Sequence, residues 1–387
     1  MEGKAAHPRP KYRIADIVRG HRQALIQARM LNLGQRRLLG SIAVCRTPAL
    51  GGKLHQCQAC GAEHPVYHSC RKRGCPNCQS LAQERWIAAR AARILPVRHV
   101  HVTWTLPSEL RRLANGHPTD IYNAFFRIVG EILGELGRTW HAVDLGWTLV
   151  LHTWKRDLGY HPHIHALVTA GGLSLDGSTF RPVRGGYLFP GEVMGRLLRG
   201  KLLDALRSLF AKDAFPELDG TAFDALMASL ARHKSWVVHA EPPFRDATHL
   251  LGYLGRYVHR IALSDSRLKA VTPERVTFTT RHGRTASLHP VVFLQRFVQH
   301  VLPDRFHKVR HGGLYASARP GGRLERTRTL LALEIDPEAA ATLTARPERH
   351  LATLIQATHC CPRCGGPVLP TRVVIPPLRA PPGAAHA

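Results

Sequence analysis

Two Cys-x2-Cys pairs, Cys57 with Cys60 and Cys75 with Cys78, constrain the folding of this chain more than any other feature. They lie in residues 45–80, a stretch rich in Cys, Gly and His and too poor in apolar side chains to close a core of its own. Such a segment keeps one shape only if something other than a core organises it. A CxxC turn brings two thiolates onto one tetrahedral ion, and two such turns complete a four-coordinate site. The spacing therefore predicts a structural Zn²⁺ on Cys57, Cys60, Cys75 and Cys78. Cys70 lies between the pairs and could replace one member, and His55, His64 and His68 stand nearby. Four sulfurs leave no open position, so this ion holds structure rather than performing chemistry. Cys45 reads as an ordinary buried thiol. The CPRC at 361–364, preceded by His359 and Cys360, reads as half a site without an assigned partner.

Charge sets the class of partner. Fifty-four Lys and Arg against 27 Asp and Glu leave a formal charge of +27, and only ten of the cations are Lys. An excess dominated by Arg, whose planar fork suits phosphate, points to a nucleic acid. Arg71, Lys72 and Arg73 would make the cysteine module a DNA-facing surface. No window approaches twenty uninterrupted apolar residues, which argues against a membrane span. The opening MEGKAAHPRPKYR lacks the apolar centre of a signal peptide, so a cytoplasmic address is expected.

Beyond residue 96 the periodicity changes. Strands are expected at 97–107, 146–154 and 162–170, with helices at about 119–138, 191–211, 222–233 and 246–262, a hairpin at 276–290 and a helix near 291–302. Interleaved strands and helices with short connections predict an α+β sheet with helices on one face. In PHIHALV, His163 and His165 fall on one face of a strand, and Ile164, Ala166 and Val168 on the other. If the preceding strand pairs through the loop KRDLGYH, His152 lies opposite His165 and supplies a third imidazole. Three His with open positions describe a catalytic divalent-ion site. His161 reads as a spacer in the turn.

Downstream, DATHLLGYLGRYVHRIAL places Tyr253 and Tyr257 four residues apart on one helical face, with Arg256 and Arg260 on their solvent side. Leu250, Leu251, Leu254, Val258, Ile261 and Ala262 form the buried arc. Phenols beside guanidiniums suit attack on a phosphodiester. Gly252 and Gly255 weaken the helix but would let DNA approach closely.

Taken in order, C-x2-C…SCRKRGCPNC, HVTWTLP, LHTWKRDLGYHPHIHALVTAGG, YLGRYVHRIALS and FLQRFVQHVLPDRFHKVRHGG resemble the rolling-circle insertion-sequence transposases of the HUH (His-hydrophobic-His) two-tyrosine nuclease superfamily. The resemblance covers roughly residues 12–320. It implies a zinc-binding domain followed by a nuclease on a ferredoxin-like antiparallel sheet. It further implies a metal pair on His163 and His165, nucleophiles on Tyr253 and Tyr257, and a basic residue between them on Arg256. The expected activity is nicking and rejoining of single-stranded DNA at transposon ends through a 5′-phosphotyrosine, with Mg²⁺ or Mn²⁺ at the histidines. The expected setting is a bacterial cytoplasm, on the nucleoid when DNA is bound. Two other readings compete: a rolling-circle replication initiator with the same chemistry, and a non-catalytic zinc-ribbon DNA-binding protein. The expected organisation is a helical arm (1–44), a zinc module (45–95), the nuclease (96–262), its extension (263–320) and a partly disordered tail (321–387).

Overall fold

The computed structural model describes residues 10–183, 188–242, 263–316, 322–332 and 360–378, together with Gly252, Gly255 and Val258. Helices α1 (Ile14–Ala28) and α2 (Leu33–Val44) come first, and α2 starts on a capping box in which Asn32 and Gln35 satisfy each other's backbone N–H. Strands β1 (Gly52–Cys57) and β2 (Glu63–Tyr67) pair antiparallel, and α3 (Ser80–Ala91) leads out of the cysteine-rich stretch. The central body runs β3 (His99–Thr105), α4 (Arg111–Gly116), α5 (Pro118–His141), β4 (Val143–Trp154), β5 (Tyr160–Ser174) and β6 (Phe180–Pro182). It continues through α6 (Gly191–Phe210), α7 (Gly220–Ala231) and β7 (Val238–Ala240). Strands β8 (Leu268–Val271), β9 (Val276–Thr279) and β10 (Thr285–Leu288) form a small separate sheet. After them come α8 (Pro290–Val298), β11 (Val309–Gly313), α9 (Arg323–Ala332) and β12 (Val368–Ile375).

The large sheet has the order β7-β3-β5-β4-β11, every pair antiparallel, with β6 added along the far end of β5. Strands β3, β4, β5 and β7, taken in chain order as a βαββαβ unit, lie 4-1-3-2 across the sheet, the ferredoxin-like arrangement. Strand alternation decides the two faces. Val100, Val102 and Trp104 of β3, Leu149 and Leu151 of β4, and Ile164, Ala166 and Val168 of β5 all point to one side. There they bury against the apolar stripe of α5 (Ile121, Phe125, Ile128, Ile132) and against α6. This is the main core, and truncating fully buried Phe125 to Ala would cost about 3–5 kcal/mol.

The other face is thinner and more polar. Val150 and Leu167 there meet Ile87 and Ala91 of α3 and Val258. The main helical layer thus covers one face as expected, and a second, lighter layer crosses the other. The N-terminal helices pack onto the body: Ile14, Ile17, Leu25, Leu39 and Ile42 share a second core with Phe278, Phe293, Phe297 and Trp154. Within the segment expected to be partly disordered, β12 adds to the edge of β1. No helix among the described residues is long and apolar enough to cross a membrane.

Candidate active site and metal centres

Adjacent strands β4 and β5 bring His152, His163 and His165 together, one ligand nitrogen from each lying within 4.8 Å of the others. The register differs by two residues from the expectation: His152 pairs with His163 and Val150 with His165, because the hairpin closes through Trp154↔Tyr160, about residue 157. The rings still converge, with centroids 4.2 Å apart for His152–His165 and 5.3 Å for His152–His163. Burial disfavours the imidazolium at all three: it holds His163 at about 4 and keeps His152 and His165 well below the ordinary value. Neutral imidazole is the form that ligates a metal.

Hydrogen bonds on the far side of two rings fix their orientation. His163 Nδ1 donates to its own strand's His161 carbonyl at 2.7 Å. His165 Nδ1 lies 2.7 Å from His101 Nε2 and 3.3 Å from Thr103 Oγ1, both on β3. His101 Nδ1 in turn meets the Glu241 carboxylate at 3.0 Å. A chain Glu241–His101–His165 therefore presents Nε2 of His165 to an ion, the carboxylate–histidine support common around metal ligands. Trp154 stacks on His152 with centroids 5.3 Å apart. Lys308 is buried beside that ring, its Nζ 5.9 Å from the Trp154 centroid; desolvation, then the charge of Arg73, pulls it down to about 7.

Tyr253, Tyr257, Arg256 and Arg260 lie outside the described residues. Three positions of their stretch are described, Gly252, Gly255 and Val258, and all are helical. Val258 packs against Val150 and Leu167, which neighbour His152 and His165 on the same face of their strands. A Cβ on Gly255 would sit 2.5 Å from Ile87 Cγ1, so this glycine admits α3; the expected role, close approach of DNA, is not the one its surroundings show.

The cysteines correct the expected ligand set. Cys57, Cys60, Cys75 and Cys78 do not converge; two four-thiol clusters form instead. Cys75 and Cys78 join Cys70 and Cys45, with Cys70 and Cys78 sulfurs 3.8 Å apart and the Cys70 amide donating to Cys45 Sγ at 3.5 Å. Cys57 and Cys60 join Cys361 and Cys364. The reason is geometric. The β1–β2 hairpin carries the first CxxC turn away from the second, whereas Cys45, at the end of α2, packs into the second core beside Cys75. Cys45 is thus a cluster member rather than an ordinary buried thiol. Arg71, Lys72 and Arg73 are exposed on this module, and Arg73 Nη1 donates to the Phe306 carbonyl at 3.0 Å, close to Lys308.

The family described as "Putative transposase" matches residues 146–321, and the "Transposase zinc-binding domain" matches residues 17–106. A "Putative transposase" of Sinorhizobium fredii is 34% identical over 369 residues, covering 91% of this chain and 92% of that protein. The chain belongs to this transposase family. The transposase for insertion sequence element IS801 of Pseudomonas savastanoi pv. phaseolicola is 29% identical over 295 residues, 70% of this chain and 68% of that protein. No solved structure matches. In this transposase the matched zinc-binding region holds all of Cys45, Cys70, Cys75 and Cys78, which supports Zn²⁺ there. The three histidines and Lys308 fall in the other matched region. Sequence reading missed His101, Glu241, Lys308 and Cys45. Of these, only His101 carried a signal, as one of two alternating histidines on the strand expected at 97–107.

Proposed function

We propose that the chain nicks and rejoins single-stranded DNA through a 5′-phosphotyrosine, in rolling-circle transposition of an insertion sequence. The observation that carries this is the convergence of three neutral imidazoles on the sheet face against which Val258 of the tyrosine-bearing stretch packs, with Gly255 of that stretch against α3 beside it. His152, His163 and His165 would hold one divalent ion with positions left for water and phosphate oxygens. Of Mg²⁺ and Mn²⁺, three nitrogen donors favour Mn²⁺. The bound ion supplies a Lewis acid that polarises a non-bridging oxygen of the scissile phosphate.

In this reading the oxygen of Tyr253 or Tyr257 attacks phosphorus and loses its proton. The new O–P bond forms as the P–O3′ bond breaks, and O3′ takes up a proton to leave a free 3′-hydroxyl. Rejoining runs the same exchange backwards, with a 3′-hydroxyl attacking the phosphotyrosine. One phosphoester replaces another at each step, so no external energy source is required. Arg256 and Arg260 would hold DNA and take up charge on the equatorial oxygens. Arg71, Lys72 and Arg73 would contact the phosphate backbone of the transposon end.

The test mixes protein with a 5′-extended, 3′-labelled single strand bearing an element end and Mn²⁺, then resolves products on a denaturing gel. A labelled covalent adduct is expected, lost in the Tyr253→Phe, Tyr257→Phe double variant. An adduct that survives in that variant overturns the assignment. Failure of His163→Ala to impair it would remove the metal site from the mechanism.

A further inference from the structure

The second thiol cluster joins two segments that sit at opposite ends of the sequence. Cys57 ends β1 and Cys60 follows it, and Cys361 and Cys364 precede β12. Each pair begins a turn of the same shape. The Gly61 amide donates to the Cys57 carbonyl at 3.0 Å, and the Gly365 amide to the Cys361 carbonyl at 2.9 Å. Both glycines take a positive φ, 70° and 75°, in sequences that read CQACG and CPRCG. Backbone amides point at the sulfurs in both turns. Ala59 and Cys60 donate to Cys57 Sγ, Arg363 to Cys361 Sγ and Gly366 to Cys364 Sγ, each at 3.4 Å. Such N–H···S bonds stabilise thiolate over thiol.

The sulfur spacing matches an ion rather than a covalent bridge. A tetrahedron of sulfurs with Zn–S bonds of about 2.3 Å has edges of about 3.8 Å. Cys57–Cys364 and Cys60–Cys361 are 3.5 and 3.8 Å apart, and all four sulfurs lie within 4.8 Å of one another. A disulfide would need about 2.05 Å. His64 Nε2, 3.1 Å from Cys361 Sγ, can donate to that sulfur as a fifth polar group at the cluster. The strands complete the unit: β12 pairs with β1 from Gly52↔Ile375 to Cys57↔Val368, and β1 pairs with β2. The Gln58 amide also bonds the Pro367 carbonyl at 3.0 Å.

We infer that this protein carries a second structural zinc on Cys57, Cys60, Cys361 and Cys364, the centre of a zinc ribbon assembled from both ends of the chain. Neither matched family region includes Cys361 or Cys364, which lie beyond residue 321. With four sulfurs the ion has no open position, so it is a clasp. It fixes β12 to the edge of β1, which would otherwise expose unpaired backbone. It also closes a loop of some three hundred residues around the nuclease sheet. The ribbon hairpin shares chain continuity with the module carrying Arg71, Lys72 and Arg73, so the C-terminal strand belongs to the zinc-binding half of the molecule and not to a loose tail.

The experiment counts metal in the full chain, purified under reducing conditions, by mass spectrometry and by colorimetric release to a chelator. Wild type is expected to hold two zinc per chain. Cys361→Ser with Cys364→Ser holds one; Cys57→Ser with Cys60→Ser also holds one. Combining all four substitutions still leaves one, because both pairs serve the same ion. A wild-type content of one zinc overturns the proposal, as does a Cys361→Ser, Cys364→Ser variant that keeps two. If the double variant is too unstable to purify, Cys364→His supplies a Cys3His set and is expected to restore two zinc, whereas loss of metal there counts against the assignment. Zinc-edge absorption on wild type should fit sulfur alone at about 2.3 Å for both ions; a mixed nitrogen–sulfur shell would replace a cysteine of this set with His64.

Discussion

Gly255→Ala isolates the contact that seats the tyrosine-bearing stretch. The added Cβ would lie 2.5 Å from Ile87 Cγ1 and 2.7 Å from Ile87 Cδ1. Carbon atoms rest at about 3.5–4 Å, so the two elements must part by roughly 1 Å. Ile87 has little room to turn aside, since it is buried with Ala91, Val150, Leu167 and Val258 and its β-branched χ1 is stiff on a helix. Overpacking of this kind costs about 1–3 kcal/mol. Replacing a helical Gly by Ala returns about 1 kcal/mol, so the net loss of stability is only about 0–2 kcal/mol. Catalysis is less forgiving, because a 1 Å misplacement of a reacting group costs on the order of 10²-fold in rate. Gly255→Ala should therefore stay folded while single-turnover adduct formation with Mn²⁺ falls about 100-fold. Adding Ile87→Ala removes both clashing carbons and should restore most of the rate, despite its own core cost of about 2–4 kcal/mol. Wild-type cleavage by Gly255→Ala would refute the close approach. A slow variant that Ile87→Ala cannot rescue would refute the steric reasoning.

Three further outcomes follow from the same geometry. His101→Ala removes the partner that orients His165, and should raise the Mn²⁺ concentration for half-maximal cleavage about 10–100-fold while leaving the rate at saturating metal largely intact; an unchanged metal titration would remove His101 from the site's support. Burial holds His99 at about 4 and His300 at about 3, below an unfolded value near 6.5, so the unfolded chain binds protons that the folded one does not. Stability is then full above pH 6.5 and falls as pH drops, by about 2 kcal/mol per residue between pH 7 and 5; denaturant melts of wild type and His99→Gln should converge as pH falls, and parallel curves would contradict this. Cys45→Ser should cost one equivalent of zinc and lower the melting temperature, since Cys45 completes the cluster with Cys70, Cys75 and Cys78; an unchanged zinc content would return Cys45 to the role of a plain buried thiol.

What the sequence disclosed and what it hid have different physical origins. Alternation along a strand is local, so a strand at 97–107 and the two faces of PHIHALV could be read directly, and the ferredoxin-like order agrees with them. His152 was reachable because a hairpin joins neighbouring strands; the true pairing lies two residues from the expected one, which keeps His152 on the same face because side chains alternate with period two. The cysteines were different. Their spacing announces that thiolates will meet metal, but which turns share an ion depends on contacts at long range. Cys57 meets Cys364 across 307 residues, and no local pattern carries that pairing. His101 and Glu241 were hidden for the same reason, since their relation to His165 passes through the neighbouring strand and the end of another.

The zinc-binding half and the nuclease half share structure at the site. The chain leaves the Cys75–Cys78 turn directly into α3, whose Ile87 meets Gly255 and whose Ile87 and Ala91 close over Val150 and Leu167. Just before that turn Arg73 reaches Phe306, and its charge adds to burial in disfavouring the ammonium of Lys308, next to His152. Trp154, stacked on His152, belongs to the core that also contains Cys45 and Cys75. Losing the first zinc would therefore loosen α3, Arg73 and Trp154 together, and of these Trp154 touches an imidazole directly while the other two act through Val150, Leu167 and Lys308. The expected signature is a chelated protein that still binds DNA through its basic surface but cleaves slowly even at saturating Mn²⁺. Were the two halves independent, removing that zinc would weaken DNA binding and leave the cleavage rate of bound strand unchanged.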